Sequence, residues 1–125
     1  MKLLVDSHVM VWWLAQPERL SREAVEALTD GNNEAYFSAA SVWELGLKMA
    51  RGKLKMPSGF VELLRTDGFV PLPVTVAHAE AALSLPALHA DPFDRLLIGQ
   101  AVAERLVFVT HDEVLWSYPV TSLRA

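Results

Sequence analysis

Short runs of uninterrupted apolar residues alternate along this chain with longer stretches in which apolar positions recur every three to four residues. Leu3-Leu4-Val5, Ala35-Tyr36-Phe37 and Leu106-Val107-Phe108-Val109 are the short runs. A strand that is apolar on both faces belongs inside a sheet covered from both sides. The intervening stretches carry helical periodicity. Helices are predicted from Ser7 to Ala15, stopping near Pro17, and from Ser21, as N-cap, to a stop at Gly31. Ser41–Arg51, closed by Gly52, Ser58–Asp67, closed by Gly68, and Thr75–Leu83, ending before Pro86, follow. The clearest helix runs from Asp91 to Arg105, with Asp91 as N-cap, Pro92 at the first helical position and Leu97, Ile98, Ala101 and Val102 on one face. Phe69–Val74 is extended, but Pro71 and Pro73 cannot donate to a ladder, so it reads as an edge strand or connector. A short turn at Glu113–Ser117 leads to a last strand near Val120–Leu123.

Strands separated by helices need crossover connections, which make a parallel sheet. The predicted fold is therefore α/β, a three-layer α/β/α arrangement around a mainly parallel sheet, in one domain spanning 1–125. A chain of 125 residues suits a single domain. The hydrophobic fraction of 52% against 21% charged residues argues for a folded globule and against disorder. No cysteine is present, which excludes disulfides and thiolate metal sites and agrees with a cytoplasmic setting. The N-terminal apolar stretch is broken by Asp6, Ser7 and His8, a poor signal peptide, and no apolar run has the ~18 residues of a membrane span.

The net charge of −4 speaks against a nucleic-acid binder until the positions of the acids are considered. Asp6 ends the first apolar run and Asp112 follows the last long one. Glu44 and Asp94 sit near the starts of predicted helices. In a parallel sheet the functional crevice lies beyond the carboxyl ends of the strands, so all four acids point to one rim. Each has a structural explanation too. Ser41-Val42-Trp43-Glu44 reads as a capping box, Asp94 stands three residues after the cap Asp91, and Asp6 and Asp112 can each cap the helix that follows. Four carboxylates at one edge would repel one another unless neutralised. A hard divalent cation that prefers oxygen ligands, Mg²⁺ or Mn²⁺, removes that penalty.

Leu3-Leu4-Val5-Asp6-Ser7-His8, Ser38-Ala39-Ala40-Ser41-Val42-Trp43-Glu44-Leu45, His89-Ala90-Asp91-Pro92-Phe93-Asp94-Arg95 and Val109-Thr110-His111-Asp112 together resemble the PIN domain, in particular the VapC-type toxins of bacterial toxin–antitoxin pairs. The resemblance covers essentially the whole chain, with Ser7 where the family often has Thr. It implies a Mg²⁺- or Mn²⁺-dependent endoribonuclease with Asp6, Glu44, Asp94 and Asp112 as catalytic and metal-binding acids. It also implies a homodimer and a small antitoxin protein as partner. Ser7, Arg95 and Thr110 are candidate substrate contacts, although a surface salt bridge explains Arg95 equally well.

Lys48, Arg51, Lys53 and Lys55 form a basic segment at a helix end, where dipole compensation is the simpler reading and RNA phosphate contact the functional one. Glu44 and Lys48 are an i,i+4 pair. Trp12 and Trp13 are adjacent and are not expected to face the same core; Trp43 is expected inside. The four histidines show no ligand spacing, though His8 and His111 flank the acid site. A receiver-type phosphoacceptor domain would want an acidic pair after the first strand and a lysine after the last, and neither is present. A haloacid-dehalogenase-type phosphatase would want an acid where His8 stands. A PIN-like binding module without catalysis is the remaining alternative.

Overall fold

The apolar runs fill the middle of a parallel sheet. The computed structural model describes residues 1–87 and 91–125; His89 and Ala90 of the motif above lie outside the described residues. The strands are β1 (Lys2–Val5), β2 (Glu34–Ser38), β3 (Val70–Leu72), β4 (Val107–Thr110) and β5 (Ser122–Arg124). Their order across the sheet is β3-β2-β1-β4-β5. Every neighbouring pair is parallel, with Leu4 opposite both Tyr36 and Phe108. Successive side chains of β1 point to opposite faces. Leu3 and Val5 join a core with Val9, Met10, Trp12, Ala24, Leu64 and Phe69, while Leu4 joins a second core with Leu97, Ile98, Ala101, Phe108 and Leu115.

The helices are α1 (Ser7–Ala15), α2 (Arg22–Thr29), α3 (Ala39–Ala50), α4 (Phe60–Thr66), α5 (Val76–Leu83) and α6 (Pro92–Glu104). The first core receives side chains of α1, α2 and α4, the second those of α6, which gives the three layers expected. α5 packs closely on α6. Gly99 faces the backbone of Ala82 and His78, where an added Cβ would lie 2.7 Å from the Ala82 nitrogen. Arg105 ends α6 in the left-handed conformation, at φ 56°.

Three sequence expectations change. α3 starts at Ala39 with Ser38 as its cap, not at Ser41, because β2 runs straight into the helix and the Ser38 hydroxyl accepts from Ala40 N–H. Trp43 is 64% exposed rather than in the core. Trp12 and Trp13 both pack on the first core: Trp12 is buried, and Trp13 leans from the flank of α1 onto Phe69 with its indole N–H donating to Asp67. The edge strand, the Ser21 cap and the Asp91-Pro92 start of α6 are as predicted.

This order sets the functional edge. From β1 the chain steps outward to β2 and β3, then returns through α5 and α6 to β4 on the other side of β1. The direction of winding reverses between β1 and β4, and the crevice beyond their carboxyl ends is where such sheets bind ligands.

Candidate active site

Asp6 stands at that reversal. Its backbone N–H donates to Val109 O at 3.1 Å, so the residue leaving β1 is tied to β4. One carboxylate oxygen accepts the N–H of Val9, at 2.9 Å, and caps α1. The other accepts the hydroxyl of Thr110. The side chain is buried. Burial pushes its pKa above the ordinary 3.8, against the opposing pull of the Thr110 hydroxyl and the Val9 N–H.

Asp112 comes two residues after β4. Its N–H donates to Thr110 Oγ1 at 3.1 Å, so one hydroxyl links the Asp6 carboxylate to the Asp112 backbone. The Asp112 carboxylate accepts Val114 N–H at 3.0 Å and caps a 3-10 turn over Glu113–Ser117. Asp6 and Asp112 line one cavity of about 430 Å³ with His8, Trp12, His111 and Glu113. The imidazole of His111 meets Trp12 edge-on at 4.8 Å, and Arg19 stacks on Trp12 at 4.6 Å.

Glu44 is buried in the second turn of α3. It is not the closing member of a capping box, since the helix begins five residues before it. Its Oε1 accepts the Ser7 hydroxyl at 2.7 Å, and its Oε2 pairs with Lys48 at 3.0 Å. Ser7 and Ser41 hydroxyls lie 2.9 Å apart, so a buried polar triad joins the residue after Asp6 to α3. Asp94, at the third position of α6, is half-buried, and its N–H leans on Asp91 Oδ1 at 3.4 Å. Asp91 caps α6 through Phe93 N–H at 2.9 Å. Asp91, Pro92 and Phe93 face Glu44, Leu47, Lys48 and Arg51 across a second cavity of about 430 Å³. The start of α6 thus adjoins Glu44, one residue short of Asp94.

Arg95 is turned to a different task. Its guanidinium donates to the carbonyls of Ala82, Leu85 and Pro86 and closes the end of α5, which favours the structural reading of this residue over phosphate contact. Thr110 and Ser7 serve as supports of Asp6 and Glu44. Sequence reasoning missed Ser41 as a buried polar partner and Glu113 as a cavity wall. The S-x-x-E spacing signalled Ser41 but suggested a cap instead.

The donors here are carboxylate and hydroxyl oxygens, the set a hard cation takes. Among the described residues no three Asp, Glu or His side chains stand close enough to hold one ion between them. Asp6 and Asp112, sharing a cavity, supply two carboxylates. Mg²⁺ characteristically uses one or two protein carboxylates and completes its shell with water and substrate phosphate, so the pair fits such an ion.

The PIN domain family profile matches residues 3–119. Ribonuclease VapC22 of Mycobacterium tuberculosis (strain ATCC 25618 / H37Rv) is 34% identical over 95% of this chain and 96% of its own length. Among solved structures, VapBC2 from Rickettsia felis, bound to a DNA fragment from the promoter, superposes with a TM-score of 0.76 at 16% identity, covering 99% of this chain and 98% of that one. DNA-bound VapBC from Salmonella typhimurium superposes at 0.72 with 14% identity, covering 99% and 98%. These superpositions bear on the fold.

Proposed function

Because the chain belongs to the PIN domain family, we propose that it is a Mg²⁺- or Mn²⁺-dependent endoribonuclease, the toxin of a toxin–antitoxin pair, with Asp6, Glu44, Asp94 and Asp112 as its acids. The observation that carries the reading is the pair Asp6 and Asp112 at the ends of adjacent strands, lining one cavity and linked through Thr110. RNA as substrate is supported by the 34% identity to a ribonuclease over nearly the full length. An antitoxin partner is in keeping with the VapBC likeness. Homodimer formation and a cytoplasmic setting belong to the same proposal; among the described residues no helix is long and apolar enough to cross a membrane.

A bound divalent ion would supply Lewis acidity toward the phosphate and lower the pKa of water. The chain's own residues set the geometry. Asp6 and Asp112 would hold the ion, Asp6 with its rotamer locked by Val9 N–H and Thr110. Glu44 reaches one methylene further, and Ser7 and Lys48 fix its two oxygens; it is suited to orienting the attacking water. Asp94, at the positive end of α6, would be the fourth acid of the site.

The test is RNA cleavage by purified protein in Mn²⁺ and in EDTA, against Asp6→Asn and Asp112→Asn. Each substitution should reduce cleavage by more than about 100-fold, beyond the loss typical of removing a supporting partner. Equal cleavage by wild type and Asp6→Asn would end the proposal.

A further inference from the structure

Two further hollows stand near the acid cavity. His8 lines both that cavity and a small cleft of about 70 Å³ formed with Ser7, Val11, Leu45, Lys48 and Leu54. Lys48 lines both that cleft and the second large cavity, where Arg51 and Phe93 stand. The three hollows therefore adjoin one another at His8 and at Lys48, from His111 and Trp12, past Asp6, to Arg51. We propose that this chain of hollows is the path of a single RNA strand, with Arg51 gripping a phosphate away from the cut and Phe93 offering a face to a base. This inference rests on the ribonuclease reading and adds the residues that bind substrate outside the acid site.

Five observations support the path. Glu44, Lys48 and Arg51 share one face of α3 at three- and four-residue steps. At 1.5 Å per residue, Arg51 lies roughly 10 Å along the axis from Glu44, too far to serve the reacting phosphate and suitably placed for a neighbouring one. Lys48 is already paired with Glu44, whereas among the described residues the Arg51 guanidinium has no hydrogen-bond or ion-pair partner. The other acid of this cavity, Asp91, accepts backbone N–H groups at the start of α6. Phe93 is half-buried on the opposite wall. A cation beside an aromatic face is the arrangement with which single strands are held without sequence preference. Compensation of the α3 dipole explains the cation, but not an aromatic side chain lining the same cavity beside Glu44.

Binding of a fluorescent single-stranded RNA oligonucleotide, measured by anisotropy in EDTA across a salt series, tests the path without cleavage. Arg51→Ala should weaken Kd about three- to tenfold and lower the slope of log K against log salt by about 0.7, the contribution of one phosphate contact on a single strand. Arg51→Glu should weaken it further, and Arg22→Ala, a distant exposed cation on α2, should leave it unchanged. Cleavage by the same proteins in Mn²⁺ separates the two levels of the argument. If wild type cuts RNA but Arg51→Ala binds and cuts as wild type does, the path is wrong and the ribonuclease reading stands. If Arg51→Ala leaves RNA binding intact and weakens capture of an acidic peptide, the groove is a protein dock and the path is wrong. If wild type neither binds nor cuts RNA, both proposals fall.

Discussion

Replacing Asp6 by Asn should make the metal-free protein more stable and the metal-loaded protein less stable than wild type. The carboxylate is buried at the end of β1, and burial raises its pKa despite two hydrogen bonds. Its charged form is therefore a net cost to the fold. Asn keeps the bond from Val9 N–H, since it caps helices as well as Asp does. Its Nδ2 cannot accept from Thr110 and would instead donate to that hydroxyl oxygen, a neutral bond in place of a charge-assisted one and a loss of about 1 kcal/mol. Relief from desolvation exceeds that loss, because desolvation is the leading cause of the raised pKa. Near pH 7 the variant should therefore melt above wild type, by roughly 3–5 °C for each kcal/mol relieved in a chain of this size. A carboxylate whose folded pKa exceeds its unfolded value binds its proton more tightly in the folded state. Wild-type stability from this group is complete below the ordinary pKa and falls as pH rises through the raised one. The Asn variant lacks that fall, so the stability difference between the two proteins should widen with pH in that window. With Mn²⁺ at about 100 times its Kd, wild type should gain roughly 2.7 kcal/mol that the variant does not, which inverts their order. Thermal melts from pH 4.5 to 8, in EDTA and in Mn²⁺, measure all of this. A variant less stable than wild type in EDTA at pH 7 would refute the reasoning.

Three other outcomes follow from the packing. Gly99→Ala should cost about 1–3 kcal/mol, since its Cβ would meet Ala82 backbone nitrogen at 2.7 Å and α5 must shift; an unchanged urea midpoint would contradict the close approach. Ser7→Ala removes the hydroxyl that fixes Glu44 Oε1, so kcat for RNA should fall about tenfold with the circular dichroism unchanged, and an equal kcat would deny Ser7 a positioning role. Arg105→Gly relieves a left-handed residue at φ 56°; the gain of up to about 1 kcal/mol is partly offset by the freer unfolded chain, and a lower melting temperature would count against it.

The sheet and the two strand-end acids could be read from the sequence because local signals agree there. Continuous apolar runs mark β1 and β4, and an acid directly after the first and three residues after the second lies at the carboxyl end whichever way the helices pack. Glu44 was harder. Ser38 and Ser41 both suit an N-cap, and the alanines at 39 and 40 are strong helix formers that let α3 start early. The face of α3 that turns inward carries Ser41 and Glu44, while Trp43 turns outward. Hydrophobic periodicity assigns such a helix the wrong face: the i,i+4 step encodes the bond to Lys48, but no spacing rule encodes the one from Ser7 that holds Glu44 inside. The carbonyls that Arg95 closes could not be read for a related reason: they lie in the last turn of α5 and just after it, nine to thirteen residues earlier in the chain.

The link between Asp6 N–H and Val109 O bears on how the site would fill. Neighbouring strands stand about 4.8 Å apart, and the ladder between β1 and β4 keeps that spacing whether or not their terminal acids are charged. Asp6, tied to that ladder, is held beside the cavity it shares with Asp112. The backbone bearing them is ordered when the protein folds, so ion entry demands no further ordering of these strands. Uptake would then be paced by the cation shedding its own hydration water rather than by a motion of the protein.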